Sequence, residues 1–345
     1  MPITLSNAIE QLLSGAPLSR AQAREVMDQV MAGEATPVQI AGVLIALRAK
    51  GESSEEMTGF VESMRAHATP LEVPAGTIDT CGTGGDRAGT FNISTAAAIV
   101  AAGAGIPVAK HGNRAASSRC GSADVLEALG VDITLGPAGV RRCIDAAGIG
   151  FCFAPTFHPA MRHAGPARRE LGVRTVFNVL GPLANPGRVH RQALGVGAAS
   201  LAPLMVRVLR DLGHDRALVF YGDDGLDELT TTGPSTVFEL KDGEVKQYAL
   251  EPESLGLKRA GSDDLKGGSP PENATALRQV LEGEPGPRRD VVLLNAAAAV
   301  LAAARAADWR DAITVASESI DSGRARQALN TLVATSRQAA SAGSG

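Results

Sequence analysis

A chain of 345 residues, 44% of them hydrophobic, is long and apolar enough to bury a sizeable core in two packed units. Its formal net charge of −4 and the lack of any Lys/Arg block exclude the basic stripe that a nucleic-acid backbone demands. No apolar run is long enough to span a membrane, Met1-Pro2-Ile3-Thr4 has no signal-like core, and Cys81, Cys120, Cys143 and Cys152 lack Cys-x-x-Cys spacing. A cytoplasmic protein without structural disulfides, zinc site or membrane partner is therefore expected.

The first seventy residues repeat one helix signature. Ser19 with Gln22, Thr36 with Gln39 (Pro37 between them) and Ser53 with Glu56 have capping-box spacing, each ahead of an apolar stripe. About four helices are expected here. From residue 77 short apolar runs alternate with helical segments, as in a sheet covered by helices. Strands are expected at 77–79, 107–110, 149–154, 192–196 and 217–221, and helices at 94–104, 122–129, 138–146, 201–212 and 291–304. Residues 237–240 and 244–248 read as a hairpin around Lys241-Asp242-Gly243. Residues 261–271 read as a surface loop and 336–345 as a frayed end. The expected organisation is a helical domain over 1–70, completed by helices around 160–185, and an α/β domain over 75–345.

Two stretches carry the chemistry. Gly82-Thr83-Gly84-Gly85-Asp86 is followed by Asn92-Ile93-Ser94-Thr95, and further on comes Lys110-His111-Gly112-Asn113-Arg114-Ala115-Ala116-Ser117-Ser118. Glycines let backbone N–H groups turn inward, while hydroxyls, amides and a lysine add donors, which is what a polyphosphate needs. A glycine turn alone often does no more than reverse the chain, but a second donor-rich loop after another apolar strand favours an anion site. Cys81 and Cys120 sit within these loops and read as small fillers rather than nucleophiles, since no histidine is placed to activate them.

Arg168 and Arg169 offer a guanidinium fork for a small carboxylate; a solvated helix face is the competing reading. Asp223, Asp224, Asp227 and Glu228 follow an apolar run, as magnesium ligands or as an acidic turn facing water. Both readings stay open for each.

Taken in order, Asp79 through Asp86, 92–95, 110–118 with Gly121-Ser122-Ala123-Asp124-Val125-Leu126-Glu127, the Arg168 helix with 178–186, and 224–228 resemble the anthranilate phosphoribosyltransferase family. The resemblance extends from the N-terminal helices to Asn295. It implies transfer of the phosphoribosyl group of phosphoribosyl pyrophosphate to the amine of anthranilate, releasing pyrophosphate, in tryptophan biosynthesis. It also implies the nucleoside phosphorylase and class IV phosphoribosyltransferase fold, a small helical domain beside a larger α/β domain, usually as a homodimer. Carried over, Gly82, Gly85, Asp86, Thr90, Asn92, Ile93, Ser94, Thr95, Lys110, His111, Gly112, Asn113, Arg114, Ala115, Ala116, Ser117, Ser118 and Cys120 would hold the donor. Ser94, Asp227 and Glu228 would hold Mg2+. Gly82, Asn113 and Arg168 would contact anthranilate, with His111 and His158 lining its approach and no dedicated acid or base.

This chain departs from the family at two places. Cys120 stands where serine is common, and Tyr221 where histidine is frequent. The rival readings are a pyrimidine nucleoside phosphorylase on the same fold, a type I phosphoribosyltransferase and a non-catalytic phosphometabolite-binding protein. Asp227, Glu228 and Arg168 speak for anthranilate.

Overall fold

The structure is a computed structural model that describes residues 3–115 and 119–343. Its first part packs α1 (Leu5–Leu13), α2 (Arg20–Ala32), α3 (Pro37–Lys50) and α4 (Ser54–Ala66) together. The three expected capping boxes form: the Ser19, Thr36 and Ser53 side chains accept from the N–H three residues on, and Gln22, Gln39 and Glu56 reach back. Helices α2 and α4 approach closely because residue 59 has no side chain. A Cβ at Gly59 would lie 2.2 Å from the Arg20 carbonyl.

The chain then forms β1 (Asp79–Gly82), α5 (Ile93–Gly103), β2 (Val108–Gly112), α6 (Ser122–Leu129), α7 (Pro137–Ala147) and β3 (Ile149–Phe153). A crossover of short helices follows, α8 (Ala154–Phe157), α9 (Gly165–Leu171) and α10 (Phe177–Leu180). Pro182 and Pro186 end regular helix here, as proline must. Ala164, Ala167, Val176, Phe177 and Leu180 of this crossover share one core with α1 to α4. The chain returns through β4 (Arg191–Gly195), α11 (Ala202–Asp211), β5 (Arg216–Gly222) and the antiparallel pair β6 (Ser235–Lys241) and β7 (Glu244–Leu250). Helices α12 (Pro270–Leu281), α13 (Pro287–Ala302), α14 (Trp309–Asp321) and α15 (Arg324–Gly343) complete it. Among the described residues no helix is long and apolar enough to cross a membrane.

Strands β1, β4 and β5 run parallel, while β2 and β3 form their own parallel ladder that meets β1 at the Ile78–Val108 bridge. The chain leaves β1 toward β2 on one side and comes back to β4 on the other, so strand order reverses at β1. Ligands of open α/β sheets bind beyond the strand ends at such a reversal. Past the bridge β1 and β2 splay apart, and side chains fill the gap. Lys110 Nζ donates to the Thr80 carbonyl at 2.6 Å, the His111 N–H donates to Asp79 Oδ1 at 3.2 Å, and Asn185 Nδ2 donates to Asp79 Oδ2 and the Ala109 carbonyl, each at 2.8 Å. Backbone groups that lose their ladder partners are satisfied in this way.

One expectation is corrected and one refined. Residues 336–345 do not fray from Ser336: α15 continues to Gly343, and the fully buried Ser336 hydroxyl accepts from the Asp132 N–H at 3.0 Å. Residues 261–271 form the expected surface segment, exposed at 261–264, 266 and 271, but it is pinned at one point. Leu265 is buried and its carbonyl accepts from Phe91, Gly267 donates to the Gly89 carbonyl at 2.8 Å, and α12 starts at Pro270 behind a Ser269–Glu272 capping box. The segment is a support under the loop that joins β1 to α5.

Candidate active site

A cavity of about 320 Å3 opens at the carboxyl ends of β1 and β2, facing the N-terminus of α5. Gly82, Gly85, Asp86, Thr90, Asn92, Ile93, Ser94, Thr95, Lys110, His111, Gly112, Asn113, Arg114, Ala115, Cys120, Asp227 and Glu228 line it. Ala116, Ser117 and Ser118 lie outside the described residues. His158 and Arg168 are not in the lining, while Arg174 and Phe91, which the sequence reading did not single out, are.

The floor is the glycine loop. Gly84 and Gly85 have φ of +68° and +87°, a left-handed backbone that residues with side chains seldom adopt. A Cβ at Gly82 would lie 2.3 Å from Asp227 Oδ2, so glycine there admits the acidic turn that follows β5. The Gly84 N–H donates to Asp227 Oδ2 at 2.6 Å, and the Ser94 N–H, in the first turn of α5, donates to Glu228 Oε1 at 3.2 Å.

The four acidic residues after β5 divide their work. Asp223 accepts from the Thr236 hydroxyl at 3.1 Å, and Asp224 accepts from Thr230 at 2.7 Å and from Thr232, which stiffens the turn. Asp227 and Glu228 face the cavity. Burial first, and then the charge of Asp86, raises the Asp227 carboxyl to about 7. Burial and then Asp227 raise Glu228 to about 8. Asp86 Oδ2 is buried without a partner. Adjacent carboxylates, partly or wholly buried and with spare oxygens, are short of positive charge, and a hard divalent cation is what they fit. Among the described residues no group of three or more His, Cys, Asp or Glu stands ready to hold a metal ion. Protein oxygens completed by ligand phosphates match the way magnesium is usually held.

The second loop is braced from beneath. Arg114 pairs with Asp124 at 3.0 Å and Glu127 at 2.9 Å, and Asp124 accepts from the N–H groups of Ala115 and Gly121 at 2.9 and 2.8 Å. Burial holds the Cys81 thiol well above its ordinary range and pushes Cys120 up to about 11, so neither supplies a thiolate at neutral pH.

The two histidines adjoin one end of the cavity, ring centroids 5.1 Å apart. Burial, and for His111 the neighbouring His158, lowers His111 to about 3; burial lowers His158 to about 4. Both are neutral at pH 7, and the Nε2 of each is buried without a hydrogen bond. His111 Nδ1 lies 3.0 Å from the Gly181 carbonyl, which makes it the protonated nitrogen and Nε2 the acceptor. Arg168 is half-buried with its guanidinium 5.3 Å from the centre of the Phe177 ring, and it has no ion pair among the described residues. The solvated-face reading therefore does not describe Arg168.

Together the fold and this cavity define a glycosyl transferase, since residues 6–68 match the helical bundle domain and residues 75–326 the a/b domain of the glycosyl transferase family. A curated anthranilate phosphoribosyltransferase from Thermomicrobium roseum is 54% identical over 343 residues, covering 98% of this chain and 99% of its own. The chain belongs to the anthranilate phosphoribosyltransferase family. Among solved structures, the anthranilate phosphoribosyltransferase of Thermus thermophilus superposes with a TM-score of 0.91 at 47% identity, over 96% of this chain and 99% of that one. The enzyme from Saccharomyces cerevisiae in complex with PRPP and Mg superposes with a TM-score of 0.89 at 30% identity, over 97% of this chain and 98% of that one.

Proposed function

We propose that this protein transfers the phosphoribosyl group of phosphoribosyl pyrophosphate to the amine of anthranilate, giving N-(5-phosphoribosyl)anthranilate and pyrophosphate in tryptophan biosynthesis. The observation that carries this reading is the joining of the glycine loop to half-buried Asp227 and buried Glu228 at the N-terminus of α5. Inward-turned amides and a helix N-terminus are built for a diphosphate.

Breaking the bond from C1 of the ribose builds negative charge on the departing diphosphate and oxocarbenium character on the sugar. The N–H groups of the Gly82 to Asp86 loop and the first turn of α5, with the 110–118 loop and Cys120, would hold the donor. They would stabilise that charge, save for the Gly84 and Ser94 N–H groups, which hold Asp227 and Glu228 in place. Ser94, Asp227 and Glu228 would hold Mg2+, which when bound neutralises charge on the leaving diphosphate. Arg168 would grip the anthranilate carboxylate, with Gly82 and Asn113 against the ring and neutral His111 and His158 along its approach. Anthranilate's amine attacks neutral, so no side chain is required as general acid or base. His111 Nε2, a buried acceptor without a partner, is suited to orient the attacking N–H.

A homodimer is part of the reading, supported by the exposed apolar side chains Leu13, Val38 and Ile45 on the helical unit. A cytoplasmic location follows from the proposed pathway.

The test is loss of anthranilate fluorescence when the purified protein meets donor and Mg2+. No loss, with turnover of a pyrimidine nucleoside and inorganic phosphate instead, would select the nucleoside phosphorylase alternative. Donor binding without turnover of either would select a non-catalytic binding protein.

A further inference from the structure

Among the described residues three cationic side chains, Lys110, Arg114 and Arg174, line the cavity. Two are already committed. Lys110 is buried and donates to the Thr80 carbonyl at 2.6 Å, and Arg114 is held between Asp124 and Glu127. Arg174 has no ion pair among the described residues. Its Nη2 reaches the Gly84 carbonyl over 3.4 Å, long for a hydrogen bond.

The surroundings of Arg174 fix it at the mouth of the site. Its guanidinium lies on the glycine loop so closely that a Cβ at Gly85 would come within 1.6 Å of Nη1. Its own carbonyl accepts from Arg48 of α3, and the next N–H, that of Thr175, donates to Asn178 Oδ1 at 2.8 Å. The backbone is thus anchored to the helical unit while the exposed side chain crosses to the α/β unit. Gly84 is the meeting point: its N–H binds Asp227 and its carbonyl binds Arg174. The uncommitted positive charge thus lies on the same glycine loop whose Gly84 N–H holds Asp227.

We propose that Arg174 is a binding residue for the diphosphate of the phosphoribosyl donor, exchanging the Gly84 carbonyl for phosphate oxygens as the donor enters. This rests on the reaction proposed above. A guanidinium gains from the exchange because a charged, forked acceptor replaces a neutral carbonyl at long distance.

Arg174→Gln, Arg174→Ala and Arg174→Lys, with the wild-type enzyme beside them, separate the possibilities. Loss of charge is expected to raise KM for phosphoribosyl pyrophosphate by about ten- to a hundred-fold, the size of a lost charge-assisted hydrogen bond. KM for anthranilate should be unchanged, and lysine should restore part of the loss. Calorimetric titration of the donor with Mg2+ in the absence of anthranilate should show the same weakening, with thermal midpoints equal to wild type. Unchanged donor affinity in the glutamine variant overturns the proposal, as does a rise confined to KM for anthranilate, which would put Arg174 on the acceptor carboxylate. An inactive wild-type enzyme rejects the proposed reaction instead, and the calorimetric comparison still judges Arg174.

Discussion

The N–H of Gly84 donates to the carboxylate of Asp227 over 2.6 Å, so the loop that would seat a diphosphate and the turn that would seat its metal form one unit. Neutralising the acidic pair should therefore cost more than removing either neutral imidazole. In steady-state assays with Mg2+, Asp227→Asn combined with Glu228→Gln is expected to lower kcat by about two to three orders of magnitude. His111→Ala and His158→Ala should each cost less, and the reverse ranking rejects the division of roles.

The raised carboxyls of Asp227 and Glu228 make the metal-free protein sensitive to pH. Their folded values, about 7 and about 8, lie above the ordinary carboxyl range near 4. Between those limits the folded protein binds more protons than the unfolded chain, so their contribution to stability falls as pH rises. Thermal melts without metal should show a downward slope from about pH 5 to about pH 8. The buried His111, His158 and His214, all lowered by burial, act in the opposite sense below neutrality. The informative quantity is therefore the slope of wild type minus that of the Asp227→Asn, Glu228→Gln variant. Equal slopes would show that the pair does not titrate in this range.

Cys120 places a weak thiol donor beside the proposed phosphate site, 3.6 Å from the Gly121 carbonyl. Cys120→Ser is expected to lower KM for the donor by about two- to ten-fold, the worth of one ordinary hydrogen bond, with kcat little changed. Because burial raises the thiol to about 11, iodoacetamide should leave it unmodified in the native protein at neutral pH.

Within the helical unit, Gly59→Ala would drive a methyl group to 2.2 Å from the Arg20 carbonyl. Urea unfolding should show a loss of about 1–3 kcal/mol, the usual cost of overfilling a tight contact. A midpoint equal to wild type would mean that α2 and α4 separate freely.

What the sequence made legible was local. The caps at Ser19, Thr36 and Ser53 depend on a partner three residues away, and the strand and helix expectations near β2, β3, β4 and α6 rest on short apolar runs. The same logic was available and missed at Ser269 with Glu272, and at Asp308, whose side chain accepts from the Asp311 N–H. Composition misled where the partner is distant. Ser336 looked like part of a polar tail, yet its hydroxyl is buried against Asp132; the stretch around Leu265 is exposed as expected, but that its Leu265 carbonyl would hold Phe91 could not be read. Arg174 gave no signal at all, because its position depends on the missing side chain of Gly85, far away in the chain. The loops after β1 and β2, by contrast, stood out through glycine and hydroxyl spacing, and their described residues line the cavity.

The gap between β1 and β2 is propped by Asp79, Lys110 and Asn185 rather than by loops at the rim. The aperture of the crevice is thus dictated from behind, by a polar strut inside the apolar interior. The calibre of the throat is therefore a property of the core itself.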